Sequence, residues 1–314
     1  MALFMSVALI ALHRRAVILN AGAAAILPHI AHADEGVAAR RCCLVVGATG
    51  RTGRYVVDAL NAPSASNIDI IAGVRTEASR SRVSPGIAYI AVDVTNDDPD
   101  FVSSLSKEML SRGVTDVICT LGFSPTFVPD EDRKLAEAID YLGTLKLIQA
   151  AEAAKIPGRF VLLSSLGTNS TTQSARMLDS SLGGVLGQKA LAERALRASP
   201  VLDWCIVRPG LLLKEKVQAP LLLGPEDRFV GDAVQDGRGL GDTRLKCASP
   251  FLASQGAVCA ATRGQVAEVC VAALTGDAGL FSRRVVEVVA RPVEEGSTAV
   301  LQTAAGFRVA GRLQ

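Results

Sequence analysis

Three glycines at a spacing of three, Gly47, Gly50 and Gly53, punctuate the stretch VVGATGRTGRYVV. Between a strand and a helix, that spacing suits the holding of phosphate. The first glycine permits a tight turn out of the strand, and the second lets backbone N–H groups approach a pyrophosphate. The third lets the helix pack close to the sheet. An anion there also meets the positive end of the helix dipole. Arg75 closes the next apolar run, in AGVRT. Sites for NAD usually place an acid at that point to grip the ribose 2′-hydroxyl, whereas a guanidinium suits a 2′-phosphate. Arg51, at the helix start, is a second cation for the same task. Glu77 lies near enough to keep NAD open. The pattern implies dinucleotide binding, with NADP(H) favoured over NAD(H).

What the chain lacks excludes other chemistry. Its three histidines, His13, His29 and His32, all fall near the N-terminus. With that stretch set aside as a leader, the rest has no imidazole for serine or cysteine hydrolysis, nor for a histidine zinc site. The seven cysteines form no CxxC pair, and several sit in apolar runs. They read as small buried hydrophobes, with no metal expected. Cys42 and Cys43, being adjacent, should point to opposite faces of one strand. A net charge of +2 without a basic run gives no case for nucleic acid.

The elements that must position these residues alternate. Short apolar runs at 42–46, 68–74, 87–92, 116–120, 159–164, 203–207 and 283–289 read as strands. Helical periodicity marks the segments after Gly53, after Asn96 as N-cap and up to Gly113, over 132–155, over 190–197 and over 264–274. Strands apolar throughout and separated by helices predict a parallel sheet covered on both faces. Right-handed crossovers make this an α/β, doubly wound Rossmann fold. The reading is one domain over 41–290, with a surface insertion in its C-terminal part over Gly231–Thr262 and a tail over 291–314.

Residues 1–33 read as a targeting segment, joined through a linker at 34–40. A twin arginine (Arg14, Arg15) precedes a short, broken apolar stretch and then Ala31-His32-Ala33. Together these form the parts of a cleavable export signal, resembling those that carry folded proteins across the thylakoid membrane. A membrane-tethering or disordered leader is the alternative.

Several phrases, in order, resemble the atypical short-chain dehydrogenase/reductases of the NmrA-like kind, and within them the plastid members of plants and algae. These are VVGATGRTG, AGVR, VDVTND, DVICTLGF, FVLLSS, GQKALAERALRAS, LDWCIVRPG and RGQVAEVCVAAL. The resemblance implies a Rossmann fold, an NADP(H) site and a chloroplast setting at the thylakoid. It also implies either a reductase acting on a small molecule or a cofactor-binding assembly or redox-sensing factor at the membrane. It places Gly47, Thr49, Gly50, Arg51, Thr52 and Gly53 on the phosphates, and Arg75 on the 2′-phosphate. Asp93 and Val94 would lie beside adenine, and Thr120, Leu121 and Gly122 along the ribose. Ser164 and Ser165 would face the nicotinamide, Lys189 would bond its ribose, and Pro209-Gly210 would close over the ring.

One departure bears on catalysis. Catalytic members of the wider superfamily use Tyr-x-x-x-Lys, in which the phenol protonates a carbonyl and the lysine lowers its pKa. Here Val185 stands four residues before Lys189, and Tyr55, Tyr89 and Tyr141 fall in other elements. The candidate proton donors are therefore Ser164, Ser165, Ser181 or a water held by Lys189. The other reading keeps Lys189 purely as a ribose contact.

Overall fold

The computed structural model describes residues 40–65, 67–169, 179–180, 183–213, 221–226, 260–276, 278–290 and 308–309. The expected leader, Ser181 and most of the 231–262 stretch lie outside these described residues.

The strands are β1 (Arg41–Val46), β2 (Ile68–Val74), β3 (Ala88–Ala91), β4 (Asp116–Cys119), β5 (Arg159–Leu163), β6 (Asp203–Pro209), β7 (Leu211–Leu213), β8 (Leu221–Gly224), β9 (Ala260–Thr262), β10 (Arg284–Ala290) and β11 (Arg308–Val309). Nine of them form one sheet in the order β11-β8-β10-β6-β5-β4-β1-β2-β3. From β3 to β10 the neighbours are parallel. The order reverses between β1 and β4, the point at which a doubly wound sheet opens a crevice beyond its carboxyl ends. The expected fold class holds, with one difference: β8 runs antiparallel to β10. β7 and β9 pair as a separate two-stranded ribbon. Such strands of two to four residues carry too few positions to show alternation, so periodicity did not reveal them.

The helices are α1 (Gly53–Leu60), α2 (Phe101–Ser111), α3 (Pro129–Leu135), a π-helical segment (Ala136–Gly143), α4 (Thr144–Ala154), α5 (Val185–Ala198), α6 (Arg263–Thr275) and α7 (Ala278–Phe281). They cover both faces, giving two cores. One gathers Val56, Val57 and Leu60 of α1 with Val266, Cys270 and Leu274 of α6. The other gathers Leu105 and Met109 of α2 with Leu147 and Ile148 of α4. Cys43 lies in the first core and Cys42 in the second, as side chains alternating along a strand must. The described cysteines are free and buried. Burial pushes the Cys119 thiol up to about 11 and that of Cys270 up to about 12, so neither is a ready nucleophile.

Several helix boundaries differ from expectation: α5 begins at Val185 rather than at 190, and α3 at Pro129 rather than at 132. α2 starts at Phe101, not after Asn96. Asn96 instead accepts from the Asp98 N–H (3.0 Å), and Asp98 from that of Asp100 (2.9 Å). These side chains stabilise local turns in competition with a helix. The helix does stop at Gly113, whose φ of +64° suits glycine. The segment expected as one long helix is interrupted by the π turns at 136–143.

Candidate cofactor site

β1 delivers the chain to Gly47, which turns at φ +81°. Its carbonyl accepts from the Gly50 N–H at 2.8 Å, and α1 starts at Gly53. The turn is crowded. A Cβ on Gly53 would lie 2.0 Å from the Gly47 oxygen, and one on Gly47 would lie 2.8 Å from Thr120 Oγ1. Glycine is required here to bring the helix onto the turn, leaving a cradle of the shape that suits a pyrophosphate. Gly53→Ala should therefore destabilise the fold by about 1–3 kcal/mol, since the obstruction is backbone. Gly264→Ala, whose Cβ would have its nearest neighbour at 3.9 Å, should change stability by less than about 0.5 kcal/mol. Thermal unfolding of the two variants checks the contrast.

Thr52 is buried at the N-cap of α1, Thr49 is half-buried and Arg51 is exposed. Arg75, one residue beyond β2, is exposed and has no hydrogen bond or ion pair among the described residues. Glu77 is engaged: it accepts from the Tyr89 hydroxyl at 2.7 Å and lies 3.8 Å from Arg80. Asp93 accepts from the Thr95 N–H and hydroxyl. Val94 is buried, and its carbonyl accepts from Lys146. Thr120 caps the end of β4 by donating its hydroxyl and its N–H to the Val46 carbonyl, both at 2.9 Å. The C-terminal ends of β1 and β4 are thereby tied together at the crevice.

Leu121, Gly122 and Lys189 meet on the far side of that crevice. Lys189 Nζ lies 2.8 Å from Asp140 Oδ1 and donates to the Leu121 carbonyl at 3.3 Å. Asp140 is 1% exposed, and its other oxygen accepts from the Phe123 N–H at 3.0 Å. It sits on the π-helical segment, whose wider turns shift the helix register where the acid enters the core. Val185 is the first residue of α5, one turn before Lys189.

Ser164, Ser165 and Pro209-Gly210 border a buried ionic network. Ser164 donates to Glu193 Oε1 at 2.5 Å, and Thr168 donates to the same oxygen at 3.1 Å. Arg208 reaches Glu193 through Nε (3.0 Å) and Nη2 (2.5 Å), both residues being almost fully buried. Glu226 joins through Arg197 (2.5 Å) and Arg208 (3.1 Å). Burial alone would raise the Glu226 carboxyl, but hydrogen bonds from Arg197 and Asn169 outweigh it and hold it at about 2. Ser165 donates to the Leu166 carbonyl at 3.1 Å. Gly210 donates to Val288, and Leu166 to the Pro209 carbonyl. The Ser164 proton is thus committed to Glu193, and Ser165 is held locally.

The glycine turn, Thr120-Leu121-Gly122, Ser164-Ser165 and Pro209-Gly210 stand at the carboxyl ends of β1, β4, β5 and β6 respectively. Sequence reasoning missed Asp140, Glu193, Glu226 and Arg208. A lone acid or base inside an apolar run, as in AIDYLG, ALAERAL or CIVRPG, was the available signal. No group of acids, cysteines or histidines that could hold a metal exists among the described residues.

A sequence profile of proteins described as NAD(P)H-binding matches residues 47–237. The chain belongs to this NAD(P)H-binding family. It is 28% identical over 256 residues to an uncharacterized chloroplastic protein of Arabidopsis thaliana, covering 79% of this chain and 76% of that one. It is 30% identical over 207 residues to the chloroplastic protein TIC 62 of Oryza sativa subsp. japonica, covering 61% of this chain and 40% of the relative. The chain thus spans less than half the length of that TIC 62 protein. Among solved structures, the oxidoreductase ylbE of Lactococcus lactis superposes with a TM-score of 0.53 at 21% identity, covering 79% of this chain and 90% of that one. That likeness is one of fold, and it agrees with the Rossmann arrangement of this family member.

Proposed function

We propose that this NAD(P)H-binding protein takes NADP(H) in preference to NAD(H) and acts as an oxidoreductase on a small molecule held above the nicotinamide. The observation that carries the cofactor choice is the state of the β2 end: Arg75 is exposed and unpaired among the described residues, while Glu77 is engaged by Tyr89. A free guanidinium there suits a 2′-phosphate. In this reading Gly47, Thr49, Gly50, Arg51, Thr52 and Gly53 face the pyrophosphate. Asp93 and Val94 border adenine, Thr120, Leu121 and Gly122 border the ribose, and Pro209-Gly210 closes over the ring.

The cofactor, when bound, supplies or accepts the hydride. The protein's part is to orient the ring and to supply a proton. Lys189, fixed by Asp140 and Leu121, holds a water as proton donor, since Ser164 is committed to Glu193. Val185 in place of a phenolic acid, and that committed serine, favour a second reading: a cofactor-binding assembly or redox-sensing factor without turnover. The chloroplastic names of the relatives support a plastid location, and contact with the thylakoid membrane or a membrane complex belongs to this second reading.

Titration of the protein with NADPH and NADH, followed by nucleotide fluorescence, tests the cofactor choice. NADPH should bind more tightly. Arg75→Ala should remove about 1.5–3 kcal/mol of that preference, or roughly 10- to 150-fold in Kd. Equal affinity of the unmodified protein for both nucleotides would sink the assignment.

A further inference from the structure

Arg51 and Arg54 bracket the start of α1, and Arg263 is the first residue of α6. The two helices pack side by side in one core, with Val56 and Val57 beside Val266 and Cys270. Their first turns are adjacent: a Cβ on Gly264 would lie 3.9 Å from the Tyr55 ring. Arg54 lies over that same ring, 5.2 Å from its centre. β9 leads directly into Arg263 and pairs with β7, Thr262 lying opposite Leu213. β7 itself starts one residue after Gly210, so this ribbon anchors Arg263 to the carboxyl edge of the sheet. The side chains of Thr262 and Gln265 close the first turn of α6 by bonding reciprocally to each other's backbone, which fixes the direction in which α6 enters.

Three arginines therefore stand at the starts of two adjacent helices beside the glycine turn, and none of them has a carboxylate partner among the described residues. Arg263 Nε is buried without a hydrogen-bond partner among the described residues. Burial first, and then the cations of Arg51 and Arg54, push the Arg263 guanidinium below its ordinary value. Like charges brought together, with Arg263 partly buried, are unfavourable until an anion arrives, and the two negative charges of a pyrophosphate, one on each phosphate, relieve the repulsion. A charge-assisted bond to a guanidinium is also among the stronger polar contacts a ligand can gain.

We propose that Arg263, with Arg51 and Arg54, forms a three-arginine subsite for the pyrophosphate of the bound dinucleotide, brought to the cofactor loop by the C-terminal part of the domain. The inference rests on the cofactor reading above. The location separates the roles of the arginines. α6 packs against β5 and β6 as well as α1, whereas Arg75 closes β2 on the opposite side of β1. Arg263 thus faces a group common to both nucleotides, and Arg75 faces the 2′-phosphate that only one carries.

Isothermal titration of the full chain with NADPH and with NADH, for the unmodified protein and for Arg263→Gln and Arg263→Lys, tests this. Arg263→Gln should raise Kd about tenfold for both nucleotides alike, and Arg263→Lys should recover part of the loss. Circular dichroism and the thermal midpoint establish that the variants are folded. A loss confined to NADPH would overturn the assignment to the pyrophosphate. Unchanged affinity for both, in a protein that binds NADPH, would overturn the subsite while leaving the cofactor reading intact. An unmodified protein that binds neither nucleotide would overturn both.

Discussion

Glu193→Ala should destabilise the domain by about 3–5 kcal/mol and weaken cofactor binding with it. Glu193 is 2% exposed and accepts from Ser164, Thr168, Arg197 and Arg208. Removing Glu193 strips the buried Arg208 of its two-pronged carboxylate, and much of the penalty comes from the less well neutralised dry cation rather than from the lost contact itself. Arg208 keeps Glu226 at 3.1 Å and Glu287 at 3.7 Å, but both geometries are poorer than the two-pronged grip of Glu193. Two hydroxyls lose an acceptor as well. Glu193→Gln keeps the shape and one acceptor, so it should cost less than the alanine. Urea unfolding of both variants measures the effect. A change below about 1 kcal/mol for Glu193→Ala would mean that the network is hydrated and contributes little.

The same network bears on the site. Arg208 immediately precedes Pro209-Gly210, and Ser164 immediately follows β5. Anchoring both to Glu193 sets where the carboxyl ends of β5 and β6 stop, and therefore the floor on which a nicotinamide would lie. Loss of cofactor affinity in Glu193→Ala should thus accompany the loss of stability rather than replace it.

The fold was legible because its strongest signals are local. Strands such as CCLVV and IDIIAGV are apolar throughout, because helices cover both faces of the sheet, and their bounds were read to within a residue. Gly47 and Gly53 were legible for a steric reason: no other residue fits between the turn, the helix and Thr120. What sequence could not show was where an isolated charge would be neutralised. Asp140 and Lys189 are far apart in the chain and meet only in the folded structure, the acid standing buried on the π turns. Ser164 looked like a free hydroxyl, and its partner Glu193 sits on a different element, in a helix whose other face is polar. Arg263 reads as an ordinary helix-opening charge until α6 is laid beside α1. Pairings of this kind depend on tertiary contact, which periodicity does not report.

Val185→Tyr should create or raise carbonyl reductase activity by about 10²–10⁴-fold, the usual contribution of a general acid. Val185 opens α5 and is half-buried, so a larger side chain has room toward solvent. Lys189 lies one helical turn later, and residues four apart share a helix face with the later side chain leaning back over the earlier one. The lysine is already fixed by Asp140 and the Leu121 carbonyl, both at the crevice. A phenol at position 185 would therefore meet an oriented cation, which lowers its pKa and readies it to protonate a carbonyl. The assay is NADPH oxidation against a panel of quinones, aldehydes and ketones, with Lys189→Ala and the double variant alongside. Lys189→Ala should weaken NADPH binding and abolish the gain from the tyrosine. Brisk turnover by the unmodified protein, untouched by Lys189→Ala, would show that the proton comes from elsewhere. No turnover in either form, together with tight NADPH binding, would decide for the cofactor-binding factor: the proton donor would then be absent by more than one side chain, and Lys189 would serve only to hold the ribose.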